Sequence, residues 1–282
     1  MKNKLYMLIL LIITIANYGQ KLIPVGEIGS FSSARSFAIN PYGMIYVSDD
    51  LKNEITQLDT LGNVIKTIGG YGGEIGSFDS PFDVFANILN VYVADKNNNR
   101  IQLFDKDLNF ISQLSFREAT EDRFSFQYPT SVSVSNQGDF YVLDSDNKRI
   151  LKFNLRGEFI TEIGGIEAGS FRLSDPQKFC MDANYNLLAL ENNSIFIFDQ
   201  YGNGKNKVNI PFHATNINSL YNWITIVDSK NLLLINSNQQ DYSSYSEVIK
   251  LNLEEDIMDA CVYKSKLYVL SGTVIFIYQI QQ

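Results

Sequence analysis

The sequence predicts an all-β fold, a six-bladed β-propeller whose last blade is closed by the N-terminal strand. Three observations lead to this prediction. A block of residues recurs every 45 to 48 positions, each complete copy holds about four short apolar segments, and the last copy is one strand short. Repeats of this length with four strands each are typical of propeller blades. No convincing amphipathic helix follows residue 20.

The repeat is marked by a phenylalanine and by a later strand that ends in an acidic residue. The phenylalanines of the first four copies, spaced 47, 48 and 45 residues apart, are Phe31, Phe78, Phe126 and Phe171. In the first three copies a Tyr-Val-x-Asp segment follows, ending at Asp49, Asp95 and Asp144. Aspartates at such positions accept hydrogen bonds from nearby backbone amides, so we expect them to cap turns. We expect Arg100 and Arg149 to pair with two of them.

The third copy shows how one block divides into strands. Alternating apolar residues predict strands over 130–135, 139–143, 149–154 and 159–163. β-branched and aromatic side chains dominate these segments, and such side chains suit a half-buried pleated surface. Short polar turns, two of them containing Gly138 and Gly157, separate the segments.

The fifth and sixth copies have diverged. Residues 223–227 and 232–235 are interpreted as the first two strands of blade five, whose last two strands are placed within 239–253. Blade six has three predicted strands, over 258–263, 266–270 and 273–280. Residues 22–28 resemble the outer strand of the third copy, so we expect them to complete blade six. Closing the ring in this way leaves no exposed edge between the first and last blades.

These motifs resemble the NHL repeat, strongly in the first three copies, moderately in the fourth and weakly in the last two. The resemblance implies a six-bladed propeller over nearly the whole mature chain. The functions it implies range widely: protein binding, RNA binding, a zinc-dependent lyase and, on related propellers, metal-dependent hydrolases. The fold alone therefore does not select a function.

The first residues resemble a secretion signal, which predicts a signal peptide over 1–19 and the propeller over 20–282. Lys2 and Lys4 precede an apolar run over 5–16, and cleavage is expected between Ala16 and Gly19. Twelve apolar residues are too few to span a bilayer, which needs about 20. An uncleaved anchor is the alternative interpretation. The mature chain, which has no second long apolar run, is expected in the periplasm or outside the cell.

The acidic composition argues against two classes of partner. The formal net charge is −8 and there is no run of Lys and Arg. Nucleic acids attract proteins through basic surfaces that neutralise phosphates, and anionic membranes do so similarly. We therefore expect no nucleic-acid partner, and either a protein partner or a polar small ligand instead.

The sequence does not contain a convincing catalytic set. His213, the one histidine, falls in the connection between blades four and five, so neither a three-histidine metal site nor a Ser-His-Asp triad is expected. Cys180 and Cys261 occupy one repeat position in separate blades and are expected to be buried and unpaired. The glycine-rich run over 69–76 is interpreted as a connection between blades. No cofactor or resident metal is predicted, and the sequence favours binding over enzyme activity.

One set of aligned positions is predicted to form a binding site. In a propeller the starts of the innermost strands surround one mouth of the central channel. The repeats place at one equivalent position Ser36, Asp83, Ser131, Lys178, Trp223 and Asp259, with Arg35 and Asn222 one residue earlier in their copies. This mixture of charges with the single tryptophan suits a polar ligand with an apolar face, or a peptide loop.

Three hypotheses for function follow. The first is an exported, non-enzymatic binding or scaffold protein that holds its partner at the channel mouth. The second is a metal-dependent lactone or ester hydrolase that uses Asp83, Asn222 and Asp259, although Lys178 in the same ring opposes a cation. The third is a structural subunit of a cell-envelope complex.

Overall fold

The structure, a computed structural model, describes residues 21–115, 124–239, 242–243 and 247–281. The predicted signal peptide over 1–19 lies outside these residues. Within the part of the chain that the structure describes, no helix is long and apolar enough to cross a membrane.

Six four-stranded antiparallel sheets form the six blades of a propeller, as predicted. In chain order the strands are β1 (Lys21–Ile28), β2 (Ala34–Ile39), β3 (Ile45–Asp49), β4 (Glu54–Leu58), β5 (Val64–Gly69), β6 (Pro81–Ala86), β7 (Asn90–Asp95), β8 (Arg100–Asp105), β9 (Phe110–Ser115), β10 (Pro129–Val134), β11 (Phe140–Asp144), β12 (Arg149–Phe153), β13 (Phe159–Ile163), β14 (Lys178–Met181), β15 (Leu187–Glu191), β16 (Ser194–Phe198), β17 (Gly204–Asn209), β18 (Asn216–Leu220), β19 (Trp223–Val227), β20 (Asn231–Asn236), β21 (Ile249–Lys250), β22 (Ile257–Tyr263), β23 (Lys266–Ser271) and β24 (Ile275–Gln281). Blades one to five take β2–β5, β6–β9, β10–β13, β14–β17 and β18–β21.

Blade six is completed by the N-terminal strand, which confirms the predicted closure. Its strands lie in the order β1-β24-β23-β22, with β1 outermost. The antiparallel register joins Lys21 to Gln281 and Ile28 to Ile275, with one irregularity between Pro24 and Gly26. The two ends of the described chain thus hold the ring together through one backbone ladder.

The core is divided among the interfaces between blades. Each of the six interfaces contains its own cluster of buried apolar side chains. The repeated phenylalanines explain this pattern: Phe78 is buried between blades one and two, and Phe126 between blades two and three. Cys180 and Cys261 are free and buried in separate clusters, as predicted. The period of the repeat is therefore set by one packing position per interface.

The turn aspartates occupy equivalent positions in the first three copies of the repeat, and their predicted capping role is confirmed. Asp49 accepts hydrogen bonds from the backbone amides of Ser32 and Ser33, and Asp95 accepts one from Asp79. The Arg100 side chain bonds Asp95 at 2.7 Å and donates to three backbone carbonyls of the glycine-rich connection, those of Gly73, Glu74 and Ser77. Arg149 pairs with Asp144 in the same way at 3.0 Å.

Replacing Arg100 with methionine is expected to lower the free energy of unfolding by about 3–5 kcal/mol. Only 6% of the Arg100 side chain is exposed and none of Asp95 is, so the substitution leaves a buried carboxylate without its cation. Chemical denaturation followed by circular dichroism measures the loss. The exposed Arg156→Met should change stability by less than about 0.5 kcal/mol. A loss at Arg100 as small as that at Arg156 would show that the connection is held by other contacts.

The structure of blade five corrects the predicted assignment of its first two strands. Residues 223–227 form the second strand, not the first, and 231–236 form the third. The innermost strand is β18, whose residues Asn216, Asn218 and Ser219 have low strand propensity. Sequence pattern alone therefore places the first strand on the apolar segment that follows it. The outermost strand of this blade is only two residues long.

Candidate functional site

The innermost strands bring most of the predicted ring together at one level of the central channel. Ser36, Asp83, Ser131, Lys178 and Asp259 stand at the same place in β2, β6, β10, β14 and β22, and each is at most 9% exposed. Five of the predicted residues therefore do form a ring, but this ring is buried and does not line a solvated mouth of the channel.

Lys178 reaches across the channel from blade four to the opposite side. Its ammonium lies 3.0 Å from Asp83 Oδ1 and 3.3 Å from Asp259 Oδ2, and it donates a 3.2 Å hydrogen bond to Ser36 Oγ. These three acceptors belong to blades two, six and one, so one side chain ties four blades together. We call Ser36, Asp83, Ser131, Lys178 and Asp259 the channel floor.

The polar atoms of the channel floor satisfy one another. Asp83 Oδ1 receives Ser36 Oγ and Lys178, while its Oδ2 receives Ser131 Oγ and the amide of Val132. Asp259 accepts from the amides of Phe37 and Ala260 and from the Asn218 side chain. Since buried polar groups are stable only when bonded, this arrangement fits a structural role better than ligand binding.

Burial and the neighbouring charges shift two pKa values in the channel floor. Burial alone would lower the pKa of Lys178, but attraction by Asp259 and Asp83 outweighs it, so the pKa lies above its ordinary value. Burial raises the pKa of Asp259, and the opposing attraction of Lys178 does not cancel this. The ammonium thus stays charged, and Asp259 binds a proton more readily than an exposed aspartate does.

The other three predicted site residues lie elsewhere. Blade five places Asn216 at the ring position, while Asn222 and Trp223 follow the far end of β18, about 13 Å along the strand. Trp223 packs into the cluster between blades five and six, and Asn222 is exposed. Arg35 lies on the outer side of the floor, 3.5 Å above the centre of the Phe82 ring.

The residues of the hydrolase hypothesis do not converge. Asn222 is at the opposite end of β18 from Asp83 and Asp259, and the Lys178 ammonium occupies the space between the two carboxylates. Within the described residues there is no group of three or more His, Cys, Asp or Glu placed to hold a metal ion. His213 lies in the exposed connection between β17 and β18. This donor set does not fit the metal site that the hypothesis requires.

A cavity of about 710 Å³ opens at the other end of the channel. It is bounded by the ends of the innermost strands and by the turns that follow them. Its apolar wall and rim include Phe85, Ile88, Leu89, Met181 and Tyr221. A volume of this size lies within the range of about 300–1,000 Å³ that small-ligand sites occupy.

The rim of the cavity exposes apolar side chains to solvent. Leu89 is 65% exposed, and Ile88 and Tyr221 are each 49% exposed. Polar groups are interspersed, among them the side chains of Asn136 and Asn218. An apolar rim around a concavity with a few convergent polar groups is typical of a binding site.

A second, much smaller chamber of about 30 Å³ lies between the cavity and the channel floor. Asp83, Lys178 and Asn218 are among the residues that line it, and Asn218 also lines the cavity. The channel is thus a blind funnel: wide at the turn end, narrow below, and closed by the floor.

The sequence contains one indication of this cavity that alignment of the repeats does not reveal. The turns after the innermost strands carry exposed apolar residues where polar turn residues are expected: Tyr42, Ile88, Leu89 and Tyr221. Turn residues that are apolar without packing in the core point to an interaction surface. Which end of the channel is open, however, depends on the conformation of Lys178, and no repeat pattern reports that.

The architecture defines the chain as a six-bladed β-propeller. Among solved structures it is similar to a streptogramin B lyase, with a TM-score of 0.61 and 14% identity over 93% of this chain and 97% of that one. It is also similar to a catalytically inactive virginiamycin B lyase of Staphylococcus aureus solved with quinupristin, with a TM-score of 0.62 and 14% identity over 89% of this chain and 81% of that one. At this identity the likeness shows the fold alone.

Sequence comparisons match one segment of the chain to a known repeat and about half of the chain to two longer proteins. The NHL repeat profile matches residues 126–153, which lie within the third copy of the repeat. The chain is 32% identical to the protein brain tumor of Drosophila melanogaster over 150 residues, and 31% identical to the B-box type zinc finger protein ncl-1 of Caenorhabditis elegans over 139 residues. These matches cover 51% and 48% of this chain but only 14% and 16% of the relatives. These matches identify an NHL repeat within the chain and a resemblance to two much longer proteins.

Proposed function

We propose that this chain is an exported, non-enzymatic binding or scaffold protein that receives its ligand or partner in the channel cavity. The observation that carries the proposal is the blind funnel of about 710 Å³ with its exposed apolar rim. A propeller with NHL repeats is a fold that supports protein binding in general. The titratable groups of the channel floor are engaged with one another, which favours binding over catalysis.

The export part of the proposal rests on residues 1–19. Their basic start and apolar run resemble those of a signal peptide and support this part of the proposal. N-terminal sequencing of the protein recovered from the cell envelope or the medium tests this part separately. A mature chain that begins between residues 17 and 20 is expected, whereas an intact Met1 in the cytoplasm would contradict export.

The cavity part is tested by site-specific photo-crosslinking in the cells that produce the protein. A photoreactive residue at Leu89, on the cavity rim, is expected to give a discrete adduct. The matched control is Ile75, which is similarly exposed at 62% but lies in the connection on the floor side. Adducts that are equally strong at both positions, or found only at Ile75, would contradict the cavity as the binding site.

The same experiment addresses the third hypothesis, a subunit of an envelope complex. An adduct at Leu89 that contains another envelope protein identifies the occupant as a protein partner. An adduct of low mass identifies a small ligand. In both cases the Ile88→Asn, Leu89→Asn double variant should lose the adduct at a photoreactive Tyr221, because two amide groups on an apolar rim oppose desolvation without adding charge.

A further inference from the structure

The deep wall of the funnel is uncharged. Side chains alternate between the two faces of a strand, so the residue two places beyond each ring position also faces the channel. The six residues of this second tier line the cavity or the small chamber, and they are Ala38, Phe85, Ser133, Cys180, Asn218 and Cys261. Burial raises the pKa of both thiols, so they stay neutral as well. None of the six therefore carries a charge.

The one carboxylate among the described residues that line the cavity, Asp182, is already engaged with the protein. Its Oδ1 accepts hydrogen bonds from the backbone amides of Asn184 and Asn186. Its Oδ2 accepts the hydroxyl of Tyr242 and the side-chain amide of Asn186. Asp182 is only 4% exposed. A charged group on a ligand therefore meets no free counter-charge in this wall.

Three basic residues at the same end of the propeller lie outside this lining. Lys106, Arg156 and Lys264 are exposed in turns and do not line the cavity. Lys106 bonds to Asp107 at 2.7 Å, and the Lys264 ammonium lies 5.1 Å from the centre of the Tyr263 ring. Water and salt screen exposed charges of this kind, so they do not compensate a charge buried in the funnel.

Uncharged hydrogen-bonding groups are available at the bottom of the cavity. Asn218 lines both the cavity and the small chamber. Its amide nitrogen donates to the carbonyl of Phe37 and to Asp259, which leaves its Oδ1 to accept a hydrogen bond from a ligand. Ser133 and Ser219 line the same two spaces. A buried hydroxyl or amide with such a partner costs little free energy, whereas a buried ion without a counter-charge costs far more.

We propose that the cavity binds a small uncharged amphiphile: a molecule with an apolar body and a hydroxyl or amide head group. This inference rests on the proposed binding function and specifies its ligand class. The head group enters first and bonds to Asn218 near the small chamber, while the apolar body packs against Phe85, Met181 and the rim. Organic ions of either sign bind more weakly, because their charge loses water without gaining a partner.

Three probes with the same alkyl chain and different head groups test the inference: 1-octanol, octanoate and octylammonium. Their binding to the purified protein is measured by isothermal titration calorimetry at neutral pH. 1-Octanol is expected to bind at least about tenfold more tightly than either ion. An ion that binds as tightly as 1-octanol, or no binding of 1-octanol, would overturn the ligand class. A photo-crosslinked adduct at Leu89 alongside either result would leave the cavity as the binding site and refute only the ligand class.

A charge added to the wall should change the preference among the probes. Met181→Lys is expected to tighten octanoate at least about fivefold, because it supplies the counter-charge that the lining lacks. The matched control Ile75→Lys adds the same charge on the floor side and should change octanoate binding less than about twofold. If Met181→Lys does not fold, Leu155→Lys on the 70% exposed rim repeats the test. No gain in the wall variant, or an equal gain in the control, would contradict binding of the probes in an uncharged cavity.

Discussion

Replacing Lys178 with methionine is expected to lower the free energy of unfolding by about 3–5 kcal/mol. The ammonium lies between two carboxylates, Asp83 and Asp259, that are almost completely buried, and methionine keeps the length of the side chain while removing its charge. Two like charges would then face each other across the channel without a cation. Urea denaturation monitored by circular dichroism measures the loss.

A charge-balanced double variant and a surface control make this result specific. Lys178→Met with Asp259→Asn should recover about 1–2 kcal/mol, because one buried charge is removed with its partner. Lys106→Met breaks an exposed ion pair with Asp107 and should cost less than about 0.5 kcal/mol. If Lys178→Met were as mild as Lys106→Met, the floor would not be an important source of stability.

The loss of stability caused by Lys178→Met should also depend on pH, and the pKa of Asp259 fixes the direction of this dependence. The pKa of Asp259 in the folded protein lies above its ordinary value of 3.8. A raised pKa means that the folded state binds a proton more readily than the unfolded chain, so this group favours folding at low pH and less as the pH rises through its folded pKa. Without the attraction of Lys178, the pKa of Asp259 rises further. The stability deficit of Lys178→Met relative to the wild type is therefore expected to shrink as the pH falls from neutrality through the pKa of Asp259 in the variant.

Deleting residues 21–29 is expected to leave no stable monomer. Their loss removes seven paired positions of the β1–β24 ladder, whose hydrogen bonds each contribute about 1 kcal/mol net. It also uncovers Ile275 and Ile277, at about 1.5–3 kcal/mol each. The sum is comparable to the whole stability of a domain, about 5–15 kcal/mol. Size-exclusion chromatography should show aggregates, because β24 becomes an open apolar edge.

A circular permutant is the matched rescue for this deletion. Lys21 pairs directly with Gln281, so a two-residue Asn-Gly turn can join them as a hairpin. A chain that begins at residue 30 and carries residues 21–29 after that turn should be monomeric again. If the plain deletion were already monomeric and as stable as the parent, closure by β1 would be dispensable.

The sequence predicted the closure of the ring because the evidence for it was local. Residues 22–28 resemble the outer strand of blade three, and blade six lacked one strand. Blade five was misassigned for an equally local reason. Its innermost strand is rich in Asn and Ser, and its burial comes from neighbouring blades, which propensity does not register.

The site was predicted only in part. Alignment of the repeats located the five members of the channel floor, because equivalent positions in a propeller necessarily meet at the axis. It did not show that Lys178 spans the channel and closes it, since this depends on the length and conformation of one side chain. The alignment also gives no indication of the cavity at the opposite turns, because the turn residues that bound it vary from one copy of the repeat to the next.

The accessibility of engineered cysteines tests most directly which end of the channel is open. In a background with Cys180→Ala and Cys261→Ala, Ser219→Cys lies on the cavity wall and Ser131→Cys lies in the channel floor. The rates of reaction with a maleimide are compared with that of an unfolded control. Ser219→Cys is expected to react readily and Ser131→Cys at least about 100-fold more slowly, since exchange into a floor of this stability requires an opening of several kcal/mol. Equal rates, or faster reaction at Ser131→Cys, would contradict a blind funnel closed by Lys178.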